Sequence, residues 1–333
     1  MRALTCTGVE AFDYGDAPDP EVPEGHALVK IAASGICGSD MHAYLGHDER
    51  RPTPLILGHE AAGIVVSGPD AGRRVTINPL VTCGSCLACL TGRSNLCAER
   101  QILSMPPRQG TFAEYVAVPS RNLVTVPDDF PLEKAALAEP LACGWHGAKR
   151  AIEVAGPPVA LRCLAIGGGA IGFAAALSLR AMGARDITIL EPNQVRADYL
   201  RDRCGETVLA PDHLAEGDSF DIIIDGVGYA ATRELASARA RPGGVIVHIG
   251  LGEATGGLDI RRMTLQEITF IGIYTYTAAD FRDTAQAMFE GRLGDLNWIL
   301  TRPLTDGARA FQDIRAGIPA EPKTVLLPEG AGA

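Results

Sequence analysis

No apolar run in this sequence approaches the length needed to cross a bilayer, so a membrane span is not expected. The first residues, Met1-Arg-Ala-Leu-Thr-Cys6, lack the apolar core and cleavage pattern of a secretory signal, and the expected compartment is the cytoplasm. Clusters of lysine and arginine are missing as well, and the net charge is −10. Neither a nucleic-acid backbone nor an anionic membrane surface is therefore an expected partner, which leaves a small molecule. Internal repeats and low-complexity tracts are also absent. What remains is a globular composition, 47% hydrophobic and 21% charged, on a chain of 333 residues. That length favours two domains, each with its own core.

The texture changes along the chain. Up to about residue 130, frequent Gly and Pro interrupt short apolar stretches at 27–33 and 61–66, which suggests many short strands and loops. From Leu161 onward, strand-like runs at 161–166, 187–190, 220–225 and 245–249 alternate with helical periodicity at 171–182, 194–203 and 230–239. Such alternation implies an α/β fold with a doubly wound parallel sheet. A further apolar run at 268–274 precedes a helix-like segment at 278–290, and the proline-containing end of the chain looks loop-rich again.

Four of the nine cysteines are crowded together. Cys83-Gly-Ser-Cys86-Leu-Ala-Cys89 is followed after seven residues by Cys97, close enough for four thiolates to close on one zinc. A complete thiolate shell leaves no open position and marks a structural site. An iron–sulfur cluster of the bacterial type would need the fourth cysteine after three residues, followed by proline, and Cys97 meets neither condition.

Gly167-Gly-Gly169-Ala170-Ile171-Gly172 satisfies G-x-G-x-x-G between a strand and a helix. Gly167 would make the tight turn, Gly169 would admit a pyrophosphate to the backbone, and Gly172 would let helix and strand approach. Nineteen residues after Gly172, at the end of the next strand, Glu191 could accept hydrogen bonds from ribose hydroxyls and repel the extra phosphate of NADP. The other reading is a solvated carboxylate with Arg196 nearby. Val227 and Ile249 follow later strands on the ligand-binding edge of such a sheet and are expected to line the cofactor cleft.

With these features in place, Cys37-Gly-Ser39-Asp40-Met-His42 and Gly58-His59-Glu60 become readable together. The chain resembles the zinc-containing medium-chain dehydrogenase/reductase family over nearly its whole length, and Ala138-Glu139-Pro-Leu141 resembles the sorbitol and polyol branch. The resemblance implies a β-rich GroES-like catalytic domain at 1–148 and 290–333, with the cysteine lobe at about 80–100, and a Rossmann NAD-binding domain at 149–289. It implies a catalytic zinc held by Cys37, His59 and Glu139, with Glu60 as the alternative direct ligand. Cys143, close by, reads as a small hydrophobe. The implied reaction is hydride transfer from a secondary alcohol to NAD, with Ser39 accepting the hydroxyl proton and His42 passing it to solvent. Asp40 would orient His59, and Lys323 would reach the pyrophosphate or simply be exposed. Tyr44, Tyr274 and Tyr276 could line the substrate pocket or belong to the core, and His26, His47, His213 and His248 read as structural.

The same chemistry on a sugar phosphate, an aldose or threonine is an alternative. A metal-free quinone or enoyl reductase would lack the zinc ligands, and a non-enzymatic dinucleotide-binding protein would not need the proton relay. The run at 268–274 could pair with its twin across a two-fold axis, giving a homodimer or tetramer.

Overall fold

The computed structural model describes residues 1–328; residues 329–333, the end of the expected C-terminal segment, lie outside them. Among the described residues no helix is long and apolar enough to cross a membrane.

The dinucleotide-type sheet has six parallel strands. They lie in the order Val208–Leu209, Asp186–Leu190, Arg162–Ile166, Phe220–Asp225, Ala240–His248 and Thr269–Gly272. The chain starts in the middle, builds one half and then crosses to build the other. A crevice therefore opens between Arg162–Ile166 and Phe220–Asp225 at their C-terminal ends. Both faces are covered, which is why these strands read as near-continuous apolar runs. Cys163, Ala165, Ile222 and Ile224 face one core, and Leu164, Ile166 and Ile223 face the other. The strand Ala240–His248 begins earlier than the apolar run at 245–249 indicates, because Pro242-Gly243-Gly244 reads as a turn. The backbone instead carries a register shift there and keeps pairing.

Local chemistry fixes the helix ends. Asn193 accepts the Arg196 N–H at the start of Gln194–Cys204, and Gly205 closes that helix in the left-handed conformation. Thr277 and Asp280 form a reciprocal cap on Ala278–Phe289.

The other part of the chain is a mainly antiparallel seven-stranded sheet around His26–Gly35, Glu60–Val65 and Arg74–Ile77. The C-terminal strand Lys323–Leu327 joins it by pairing with His26–Gly35. The helix Ala138–Ala155 packs against Ala170–Ala181 and Ala278–Phe289 and links the two halves. Its proline, Pro140, sits in the first turn, where an amide proton has no intrahelical partner to lose.

Candidate metal centre and dinucleotide cleft

Cys37 follows the strand His26–Gly35 and stands at the N-cap of the helix Gly38–Tyr44. His59 and Glu60 lie where the neighbouring strand Glu60–Val65 begins, and antiparallel pairing sets Glu60 opposite Gly35. A Cβ on Gly35 would fall 2.1 Å from Glu60 Oε2, so only glycine leaves room for the carboxylate. Through this register, ligand-type atoms of Cys37, His59 and Glu60 come within 4.8 Å of one another.

Buried Asp40 holds this arrangement together. Its Oδ2 accepts the Cys37 N–H at 3.0 Å, its Oδ1 accepts the Gly58 N–H at 3.2 Å, and the same oxygen lies 3.4 Å from His59 Nδ1. Burial pushes the Asp40 carboxyl up, but His59, Arg51 and the Cys37 N–H outweigh it and keep it below the usual carboxylate range. With Nδ1 engaged, Nε2 is the His59 nitrogen left to face a metal. The buried guanidinium of Arg51 donates to the carbonyls of Ser39 (3.0 Å) and Ser104 (2.9 Å) and to Asp48. Ser104 Oγ in turn lies 3.4 Å from His59 Nδ1. Neither Arg51 nor Ser104 belongs to a motif, and the contacts from Arg51 to Ser104 and from Ser104 to His59 span 53 and 45 residues, so the sequence carries no signal for this support.

Glu139, in the first turn of Ala138–Ala155, is outside the 4.8 Å group but close enough for the charges of His59 and Glu60 to bear on it. Its Oε1 accepts the Tyr276 hydroxyl at 2.8 Å. Burial, reinforced by Glu60, pushes Glu139 up to about 7. Burial also pushes the Cys143 thiol well up, as expected of a small hydrophobe. A thiol, an imidazole and two carboxylates are a donor set that suits zinc. The residues fit the ion.

The four lobe cysteines fit one too. Their sulfurs stand 3.6 Å (Cys86 to Cys89), 3.6 Å (Cys83 to Cys97) and 4.0 Å (Cys83 to Cys89) apart. Four sulfurs at about 2.3 Å from a tetrahedral zinc would be about 3.8 Å apart. N–H groups of Ser85 and Cys86 pull the Cys83 thiol down to about 6, toward the thiolate a metal needs.

A cleft of about 400 Å³ runs along the switch point of the parallel sheet. Gly167, Gly169, Ala170, Ile171 and Gly172 line one side, together with Glu191, Arg196 and Val227. Cys37, Gly38 and Met41 line it as well, so the cleft touches both the glycine turn and the loop that carries the candidate ligand Cys37. Gly167 has φ +98°, and a Cβ on Gly172 would fall 1.9 Å from the Gly167 carbonyl oxygen. Glu191 is buried: Oε2 accepts the Gly168 N–H at 2.9 Å and Oε1 the Asn193 N–H at 2.7 Å, with Arg196 3.7 Å from Oε2.

One residue is placed otherwise than expected. Lys323 borders the cleft, but its buried ammonium donates to Glu60 at 2.7 Å and to the Ile36 carbonyl at 2.9 Å, so it is neither exposed nor directed to a pyrophosphate. Burial alone would lower its pKa; Glu60 and Cys37 raise it. Ile249, just past the strand end at His248, lies against the long helix, where a Cβ on Gly147 would fall 2.9 Å from its Cδ1. Ser39 and His42 lie on the helix Gly38–Tyr44, half-buried. Tyr44 is core, stacked on Phe12, and His248 pairs with Asp225 at 3.1 Å.

Residues 23–128 match the model of the alcohol dehydrogenase GroES-like domain, and residues 170–290 match that of the zinc-binding dehydrogenases. The chain is similar to a sorbitol dehydrogenase of Bacillus subtilis, 32% identical over 83% of this chain and 82% of that protein. It is also similar to a probable D-xylulose reductase A of Arthroderma otae, 28% identical over 95% of this chain and 94% of that one. Among solved structures it resembles a putative zinc-binding dehydrogenase of Sinorhizobium meliloti bound to NADP, with a TM-score of 0.86, 26% identity and coverage of 98% and 99%.

Proposed function

Because this chain belongs to the zinc-containing medium-chain dehydrogenase/reductase family, we propose that it oxidises a secondary hydroxyl of a polyol or sugar alcohol with NAD as the hydride acceptor. The enzyme is a zinc-dependent, nicotinamide-linked alcohol dehydrogenase. The observation that carries the finer reading is the single cleft bordered by both Cys37 and the glycine turn, since hydride transfer needs alcohol and nicotinamide side by side.

A zinc ion held here would supply Lewis acidity toward an alcohol oxygen, and a nicotinamide in the cleft would supply the hydride acceptor. Cys37, His59 and Glu60 would hold the catalytic ion, with Glu139 in reach as the alternative carboxylate. Cys83, Cys86, Cys89 and Cys97 would hold a second, structural one. Asp40 fixes the His59 ring, and Lys323 balances the charge of Glu60 in a buried setting. Ser39 takes the proton from the substrate hydroxyl and His42 passes it to solvent. Buried Glu191 presents a carboxylate beside the ribose position and engages Arg196, which leaves that arginine less available to a 2′-phosphate and favours NAD.

The catalytic domain would comprise 1–148 and 290–333 and the dinucleotide domain 149–289. The strand Thr269–Gly272 is bonded on one side only among the described residues, and its other edge would pair with a second copy in a dimer or tetramer. Assaying polyols, sugar phosphates and simple secondary alcohols with NAD and NADP in parallel tests the substrate and cofactor together. The highest kcat/KM is expected for a polyol with NAD; a clear preference for a sugar phosphate or for NADP contradicts the reading.

A further inference from the structure

The cysteine lobe reaches across to the segment 274–278, which joins the last strand of the parallel sheet to the helix Ala278–Phe289. Buried Asn95 donates its Nδ2 proton to the Tyr274 carbonyl at 2.7 Å. Ser94 Oγ accepts the Ala278 N–H at 2.9 Å. The Arg100 guanidinium, bonded to the Cys97 carbonyl at 2.9 Å, lies 4.8 Å from the centre of the Tyr274 ring. All three contacts come from residues between or just beyond Cys89 and Cys97, so closing the lobe on a metal fixes their positions.

On the other side, the same segment ends at the catalytic centre. Tyr276 is 1% exposed and donates its hydroxyl to Glu139. Between the two anchors, Thr275 is held at φ +47°, a left-handed conformation that a β-branched residue adopts only when its surroundings impose it. The loop pinned at Tyr274 and Ala278 and bent at Thr275 directs Tyr276 onto the Glu139 carboxylate.

We infer that Asn95 is a positioning residue for the reaction: the four-cysteine lobe, through Asn95 and the segment 274–276, sets where Tyr276 holds Glu139 at the catalytic metal. This rests on the reading of Glu139 given above. The lobe is then more than a local staple, because its residues Ser94, Asn95 and Arg100 hold the segment that carries Tyr276.

A double-mutant cycle on the zinc-loaded enzyme tests it. Asn95→Ala lowers kcat/KM about fivefold to tenfold while zinc stays at two per chain. Tyr276→Phe lowers it at least as far, and the combined variant is no worse than Tyr276→Phe alone, because both act on one contact. Two readouts other than activity accompany the cycle. Backbone amides at 275–278 exchange faster in Asn95→Ala, and with cobalt in the catalytic site the visible spectrum shifts in the same direction in Asn95→Ala and Tyr276→Phe. If Asn95→Ala disrupts the lobe and zinc falls, Ser94→Ala, which removes the acceptor of the Ala278 N–H, enters the same cycle with the same expectation. Independent, multiplicative losses, or an unshifted cobalt spectrum in a variant whose loop has loosened, overturn the inference. Glu139→Gln separates it from its premise. If Glu139→Gln and Tyr276→Phe both leave activity and spectrum unchanged, the role of Glu139 fails and the inference with it. If both change them and the lobe variants do not, the inference alone fails.

Discussion

Asp280 shows what one buried carboxylate can hold. It accepts from His146 Nδ1 and Lys149 Nζ, each at 2.8 Å, and from the Thr277 hydroxyl at 2.6 Å, tying the long helix to the cap of Ala278–Phe289. Burial raises its pKa, but those partners outweigh burial and hold it far below the ordinary range. A carboxyl depressed in the folded state stabilises above its unfolded pKa of about 3.9, and the contribution is lost as pH falls through the carboxylate range. Asp280→Asn is therefore expected to cost about 2–3 kcal/mol in urea unfolding at pH 7, with the gap to the parent narrowing below about pH 4. A gap independent of pH would show that the charge is not what stabilises. His146 and Lys149 carry no motif and lie 134 and 131 residues from Asp280, so their pairing with it was not legible in the sequence.

At the level of elements, periodicity was a good guide where burial was simple. The runs at 187–190 and 220–225 became Asp186–Leu190 and Phe220–Asp225, and the pattern at 230–239 became Ala230–Arg239. Both faces of that sheet are buried, so apolar residues and strand limits coincide. The first part of the long helix Ala138–Ala155 is not legible in this way, because residues 138–148 are buried on every side and polar residues return only in its last turns. Of the site, cysteine spacing and the glycine turn were readable because their chemistry is local. Lys323 with Glu60, Tyr276 with Glu139, and Arg51 with Ser39 were not, since sheet register and loop docking bring them together. The turn also gives a test. Gly172→Ala would press a methyl group onto the Gly167 carbonyl, and NAD affinity should fall roughly tenfold or more in a fluorescence titration. Unchanged affinity would mean that the dinucleotide does not use this turn.

In the molecule as a whole, two sheets meet along one cleft, with the Cys37 loop on one wall and the glycine turn on the other. The open edge at Thr269–Gly272 belongs to this scale. If it pairs with a second copy, Ile271→Glu should shift the protein from dimer or larger to monomer on a sizing column; an unchanged elution volume would place the interface elsewhere. The most direct test of the central claim is zinc content per chain, measured together with NAD-linked alcohol oxidation, in the parent and in Cys37→Ser. Cys37→Ser is expected to retain the lobe zinc, lose the other and stop oxidising alcohols; two zinc ions per chain with undiminished oxidation would contradict a catalytic zinc at Cys37.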